Sequence, residues 1–167
     1  MADDPAPWYA ASGLRFRCTG CGACCRQPGF VYLHNDEADR IARRLRGADA
    51  TAESLAGAIW AREDADTFVI EVRAGSACPL LGPEGCTVHD IKPMQCATYP
   101  FWPELLESPS AWHEEATLCE GISPLGDLYR DFDVRRLVKE RARTHESSRG
   151  ELPFRLRRPA PEPGSDT

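Results

Sequence analysis

Histidine is scarce in this sequence, with four copies among 167 residues. Chemistry built mainly on imidazole therefore has little to work with. No stretch approaches the roughly 18 apolar residues of a membrane span, so no membrane role is expected. A basic surplus is also missing: Lys and Arg number 20 against 26 Asp and Glu, a net charge of −6. Nucleic-acid binding needs a basic face, and the short run Arg155 to Arg158 does not supply one. The chain contains no Gly-x-Ser-x-Gly, no phosphate-cradling glycine loop and no dinucleotide fingerprint. Met1-Ala2-Asp3-Asp4-Pro5 lacks the basic start and apolar run of a secretory signal. The expected location is a reducing cytoplasm, where clustered cysteines serve as metal or redox groups more often than as disulfides.

What the chain does have is eight cysteines. They fall into Cys18-x-x-Cys21-x-x-Cys24-Cys25, then Cys78, Cys86, Cys96 and Cys119. Two intervening residues let a loop fold two sulfurs onto one centre while its peptide N–H groups face the thiolates. A C-x-x-C-x-x-C run supplies three cluster ligands in bacterial ferredoxins. Here a cysteine follows the run directly, and the nearest Cys-Pro is remote, at Cys78-Pro79. Neighbouring side chains in an extended segment point to opposite sides, so Cys24 and Cys25 are expected to serve one centre each, or one of them to stay free for chemistry. One division is Cys18, Cys21, Cys24 and Cys119 against Cys25, Cys78, Cys86 and Cys96. All eight are expected metal ligands. The expected occupant is an iron–sulfur cluster of the 4Fe-4S type, with zinc the alternative. His89 and His113 are expected at the surface or behind the ligands, because the thiols already suffice. No catalytic residue is identified.

Along the chain, residues 1–13 read as a flexible N-terminus. Residues 14–148 read as one cysteine-cluster domain, and residues 149–167 as a disordered Pro/Arg-rich tail. A helix is expected from about Asp36 to Arg46, with Asn35 as N-cap and Gly47 as the stop. A second is expected from Ala52 to about Arg62, capped by Thr51. Phe68 to Val72 reads as a strand. A short helix should carry Cys96, with Pro93 in its first turn and Pro100 and Pro103 beyond its end. A last helix is expected from Asp127 to about Thr144, with Leu128, Phe132, Leu137 and Val138 as its apolar positions. The fold class is α+β, small and α-rich, with irregular loops organised around cysteine-ligated metal. Tyr99-Pro100-Phe101-Trp102-Pro103 reads as an apolar shell for the metal. Arg15, Arg17, Arg26 and Lys92 read as charges offsetting the thiolates. The acid pair Glu114-Glu115 reads as a solvated face.

With these groups in view, the sequence resembles the YkgJ-type cysteine-cluster family, the CxxCxxCC zinc- or iron-chelating domain. The matching elements are Phe16-x-Cys18-x-x-Cys21-x-x-Cys24-Cys25, Cys78-Pro79-Leu80, Gly85-Cys86-x-Val88 and Lys92-Pro93-x-x-Cys96-x-x-Tyr99-Pro100. Trp112 and Cys119-Glu120-Gly121-Ile122 extend the likeness, which covers about residues 14 to 122. The resemblance implies metal chelation through these cysteines. The cysteine domain of flagellin lysine N-methylases is similar and implies an iron–sulfur occupant. Two roles follow as expectations. One is a structural, redox or metal-handling module bound to a metal ion or cluster, with a protein partner possible. The other is a metal-dependent protein-modifying enzyme.

Overall fold

The computed structural model describes residues 5–146, with side chains to residue 142. The tail expected at 149–167 lies outside the described residues. In chain order the elements are β1 (Leu14–Phe16), β2 (Gly29–His34), α1 (Asn35–Arg46), β3 (Ala61–Arg62), β4 (Thr67–Val72), β5 (Leu81–Gly82), β6 (Gly85–Cys86), α2 (Met94–Ala97), α3 (Pro103–Leu106), α4 (Pro109–Ala116), β7 (Asp127–Tyr129) and α5 (Asp131–Glu146). The fold is a small mixed α/β arrangement with three small antiparallel sheets.

The β-branched run at Phe68–Val72 forms β4, as its composition predicts. It pairs with β2 in full register, Val31 opposite Ile70 and Leu33 opposite Phe68. Phe68, Ile70 and Val72 point inward, and Ala38, Ile41 and Ala42 of α1 cover them. Leu80 and Val88 join this first core, with Cys78 and Cys86 packed against it. A second core gathers Tyr9, Leu14, Phe16, Phe101, Trp112, Cys119 and Val134. The cysteine segments lie between the two cores.

Several elements differ from the sequence reading. The helix expected over 52–62 is only a 3₁₀ turn, Ala52–Leu55. Gly57 sits at φ +81°, the Trp60 indole donates to the Ala52 carbonyl (2.8 Å), and Ala61–Arg62 leaves as a strand. Asn35 is the first residue of α1, and His34 is the N-cap. Pro93 caps α2 from outside its first turn. The last helix starts at Asp131, because residues 127–129 pair with β1. Phe132 is 75% exposed and Leu128 37%, whereas Val134 is fully buried, so the inward stripe is shifted from the expected one. Residues 5–13 also carry packing: Tyr9 is buried, and the Trp8 indole donates to the Leu106 carbonyl (2.9 Å).

Glu37 ties the first core to the cysteine segments. Its buried carboxylate accepts from the His34 amide (3.0 Å) and, through the other oxygen, from the Met94 amide (2.7 Å). One side chain thus caps α1 and fixes the start of α2, which carries Cys96. Gln95 does the same for the strand edge. It accepts from the Tyr32 amide (3.0 Å) and donates to the Phe30 carbonyl (2.9 Å).

Glu37→Ala is expected to lower the unfolding free energy by about 2–4 kcal/mol, since it leaves two part-buried amides without an acceptor. Urea unfolding of the full chain under anaerobic conditions measures this. A loss below about 0.5 kcal/mol would show that water replaces the carboxylate freely.

Candidate metal centre

All eight cysteines line one cavity of about 110 Å³. Its other walls include Phe16, Ile70, Val72, Leu80, Tyr99 and Trp102, with His89 and Lys92 at one side. All eight are free thiols. Among the described residues, no three Cys, His, Asp or Glu side chains converge closely enough to grip a single ion as they stand. The sulfurs form a wall around a space.

The positions follow from local backbone. Gly20 and Gly22 take φ of +75° and +74°, which bends the first loop tightly. Cys24–Arg26 is a 3₁₀ turn, so Cys24 and Cys25 do not diverge as an extended pair would. Their thiols hydrogen-bond to each other, and Cys25 also reaches Cys86. The Cys78 amide donates to the Cys25 carbonyl (2.7 Å), joining the two cysteine loops. One local device recurs at the later cysteines. The sulfur of Cys78 accepts from the Leu80 amide, that of Cys86 from Val88, and that of Cys119 from Gly121 and Ile122. In each case an amide two residues on turns back toward the sulfur, which favours the thiolate. This accounts physically for Cys78-Pro79-Leu80, Cys86-x-Val88 and Cys119-Glu120-Gly121.

The thiols do not share one environment. Cys24, Cys78, Cys86 and Cys96 lie near enough for their charges to act on one another. Hydrogen bonding from Cys25 lowers Cys24 to about 7 and Cys86 to about 6, and the Lys92 ammonium helps both. Cys25 is pushed up, first by its hydrogen bonds to Cys24 and Cys86. Burial pushes up Cys78, Cys96 and Cys119. Cys119 instead neighbours Cys21, and the Cys18 sulfur lies 3.2 Å from His89 Nε2. The charges of Cys24, Cys78, Cys86 and Cys96 thus act on one another, and that of Cys21 acts on Cys119.

Of the four cations read as neighbours, Lys92 alone acts on several thiols. Arg17 pairs with Asp127 (2.6 Å), Arg15 donates to the Gly126 carbonyl (3.0 Å), and Arg26 donates to the Gly22 carbonyl (3.1 Å). Glu115 is buried, contrary to the solvated face expected of it, and accepts from the Tyr99 hydroxyl and from Gln27. Tyr99 also bonds the Cys119 sulfur, so Glu115 holds the phenol that touches a candidate ligand. Sequence reasoning missed Glu115, Glu37 and Gln95. Nothing marks a buried polar residue in a chain until its partners are known.

The donor set fits a soft or borderline metal. Thiolates select zinc, Cu(I) and iron–sulfur clusters, while carboxylates, which suit magnesium and calcium, are missing from the cavity lining. The residues that would hold a metal are drawn from the eight cysteines of the cavity.

Close approach of the two loops depends on glycine. A Cβ on Gly85 would meet the Gly20 carbonyl oxygen at 2.7 Å, and Gly85 has φ +112°. Gly57 is also left-handed, at φ +81°, but a Cβ there meets nothing within 4 Å. Gly85→Ala is expected to lose bound metal and stability together, whereas Gly57→Ala should cost only the backbone strain of about 1–2 kcal/mol and keep its metal. Metal per chain and thermal unfolding of both variants test this. Equal metal content in the two would mean that the loops need not touch.

The model for the CxxCxxCC family, "Putative zinc- or iron-chelating domain", matches residues 17–120. No solved structure matches the chain. The matched span runs from just before the first cysteine to just after the last, and so takes in every thiol of the cavity. The chain belongs to the CxxCxxCC family of zinc- or iron-chelating domains.

Proposed function

We propose that this protein holds an iron–sulfur cluster on Cys24, Cys78, Cys86 and Cys96, and that the metal fixes the loops between its two cores. The observation that carries this is that all eight thiols line one cavity with apolar walls and a single ammonium group, Lys92; Cys24, Cys78, Cys86 and Cys96 feel one another's charge within it. Four thiolates complete a 4Fe-4S cluster. Such a cluster supplies one-electron chemistry when bound. In this reading Cys25 is not a ligand. Its one S–H proton serves Cys24 or Cys86 in turn, and so orients these two ligands and lowers their basicity. The amides of Leu80 and Val88 stabilise the other side of the ligand set. Lys92 offsets part of the remaining negative charge. The single domain over residues 14–148 is then a metal-organised unit, and the role is structural or redox.

The test is anaerobic purification of the full chain, with iron, zinc and acid-labile sulfide counted per chain. Expected are about four irons and four sulfides, lost in Cys78→Ser and Cys86→Ser and kept in Cys25→Ser. Zinc without sulfide would replace the cluster by a structural zinc site. Removal of the metal should unfold the protein, because structural metal supplies roughly 10–16 kcal/mol in small domains. A compact chain free of all metal would end the reading.

A further inference from the structure

The outer face of α1 carries a local excess of positive charge that the chain as a whole lacks. Ala38, Ile41 and Ala42 turn inward onto the first core. Arg40, Arg43, Arg44 and Arg46 are all exposed. Residues three and four apart on a helix are neighbours. Arg40 therefore lies beside Arg43 and Arg44, and Arg43 beside Arg46, so like charges adjoin repeatedly along this face. Such pairs destabilise a helix. The helix dipole favours cations in the last turn, which holds Arg43, Arg44 and Arg46 but not Arg40. Ion pairing offsets only part of the charge. Arg44 grips Asp90 through both terminal nitrogens (3.0 and 3.3 Å), and Arg43 lies 3.8 Å from Asp39. Among the described residues, Arg40 and Arg46 have no ion-pair partner.

We propose that the C-terminal half of α1 is a docking surface for an acidic protein segment, whose carboxylates take the two unpaired guanidinium groups and relieve the repulsion along the helix. Charge complementarity selects this occupant. The four arginines span about 9 Å of helix axis. Duplex DNA carries a charge about every 1.7 Å and needs a longer basic face. Here the patch gives way to Asp36 and Asp39 toward the start of α1, on a chain of net charge −6. A short acidic segment matches the patch in both sign and length. The surface also adjoins the thiol cavity. Asp90, held by Arg44, belongs to the turn His89–Ile91. In that turn the His89 ring nitrogen lies 3.2 Å from the Cys18 sulfur and 3.5 Å from the Lys92 ammonium nitrogen. A carboxylate that competes with Asp90 for Arg44 therefore acts on a turn that touches the cavity wall. Docking here does not depend on which metal the thiols hold.

The test uses the anaerobically purified full chain and a fluorescent oligo-glutamate peptide, followed by anisotropy at low salt. Oligouridylate RNA of equal net charge is run beside it. Expected is saturable binding of the peptide that weakens as salt rises. Arg40→Gln combined with Arg46→Gln should weaken it by about tenfold or more. Arg73→Gln combined with Arg135→Gln removes the same charge from exposed sites on other elements and should leave binding unchanged. In the unsubstituted chain, the peptide should slow hydrogen exchange in residues 40–46 and alter it in the turn at 89–91. This readout needs no variant to fold. Absence of peptide binding at low salt, equal weakening by the control pair, or protection confined to other elements would each overturn the proposal. Tighter binding of the oligouridylate would replace the acidic protein by a nucleic acid and overturn it as well.

Discussion

One peptide hydrogen bond, from the Cys78 amide to the Cys25 carbonyl at 2.7 Å, joins two loops that lie far apart in the chain. Each loop is seated on one of the two cores. Leu80 and Val88 anchor the 78–88 segment in the first core, and Phe16 and Cys119 anchor their segments in the second. A neutral hydrogen bond contributes only about 0.5–1.5 kcal/mol net. The loops themselves are rich in glycine, proline and thiols and bury little apolar surface of their own. The hydrogen bond therefore sets the register of the loops, and something stronger must hold them.

The electrostatics point to that stronger term. Burial raises Cys78, Cys96 and Cys119, which favours the neutral thiol there. A metal must displace those protons and works against the same desolvation. The chain reduces the cost in two ways. Amides of Leu80, Val88, Gly121 and Ile122 are already aimed at three of the sulfurs. Cys25 and Lys92 have already drawn Cys24 and Cys86 toward the thiolate. The cavity's sulfurs are thus uneven: Cys24 and Cys86 are drawn toward the thiolate, while burial holds Cys78, Cys96 and Cys119 toward the thiol. Preorganised donors of this kind act before any metal contact is made.

Much of this was legible in the sequence, for identifiable reasons. The Phe68–Val72 strand shows in its β-branched residues, and α1 in the spacing of Ala38, Ile41 and Ala42. The family is carried by the ordered cysteine spacings. The rest was hidden where tertiary contact overrides local preference. Residues 52–62 have helical composition, but Gly57 and the Trp60 indole turn the chain. Residues 127–129 extend a helical pattern and instead pair with β1. Adjacent Cys24 and Cys25 suggest opposite directions only if the segment is extended, and a 3₁₀ turn removes that premise.

The aromatic–proline run explains why the cavity has two characters. Tyr99 and Trp102 face the cavity, while Phe101 turns into the second core against Phe16 and Trp112. Trp102 is held from three directions. Its indole donates to the Gln95 carbonyl (2.9 Å), its ring meets Tyr99 edge-on, and the Arg141 guanidinium lies 4.6 Å from its centroid. Arg141 is itself buried and paired with Glu104 through both nitrogens, at 3.1 Å each. The α5 helix thereby clamps the wall behind Cys96, since Gln95 and Cys96 share α2. A rigid, apolar wall on that side limits the access of water to the thiols in front of it. The rim at Cys18, Cys21 and His89 has no such cover. The cavity is thus walled by packed aromatic rings on one side and open at its first cysteine loop.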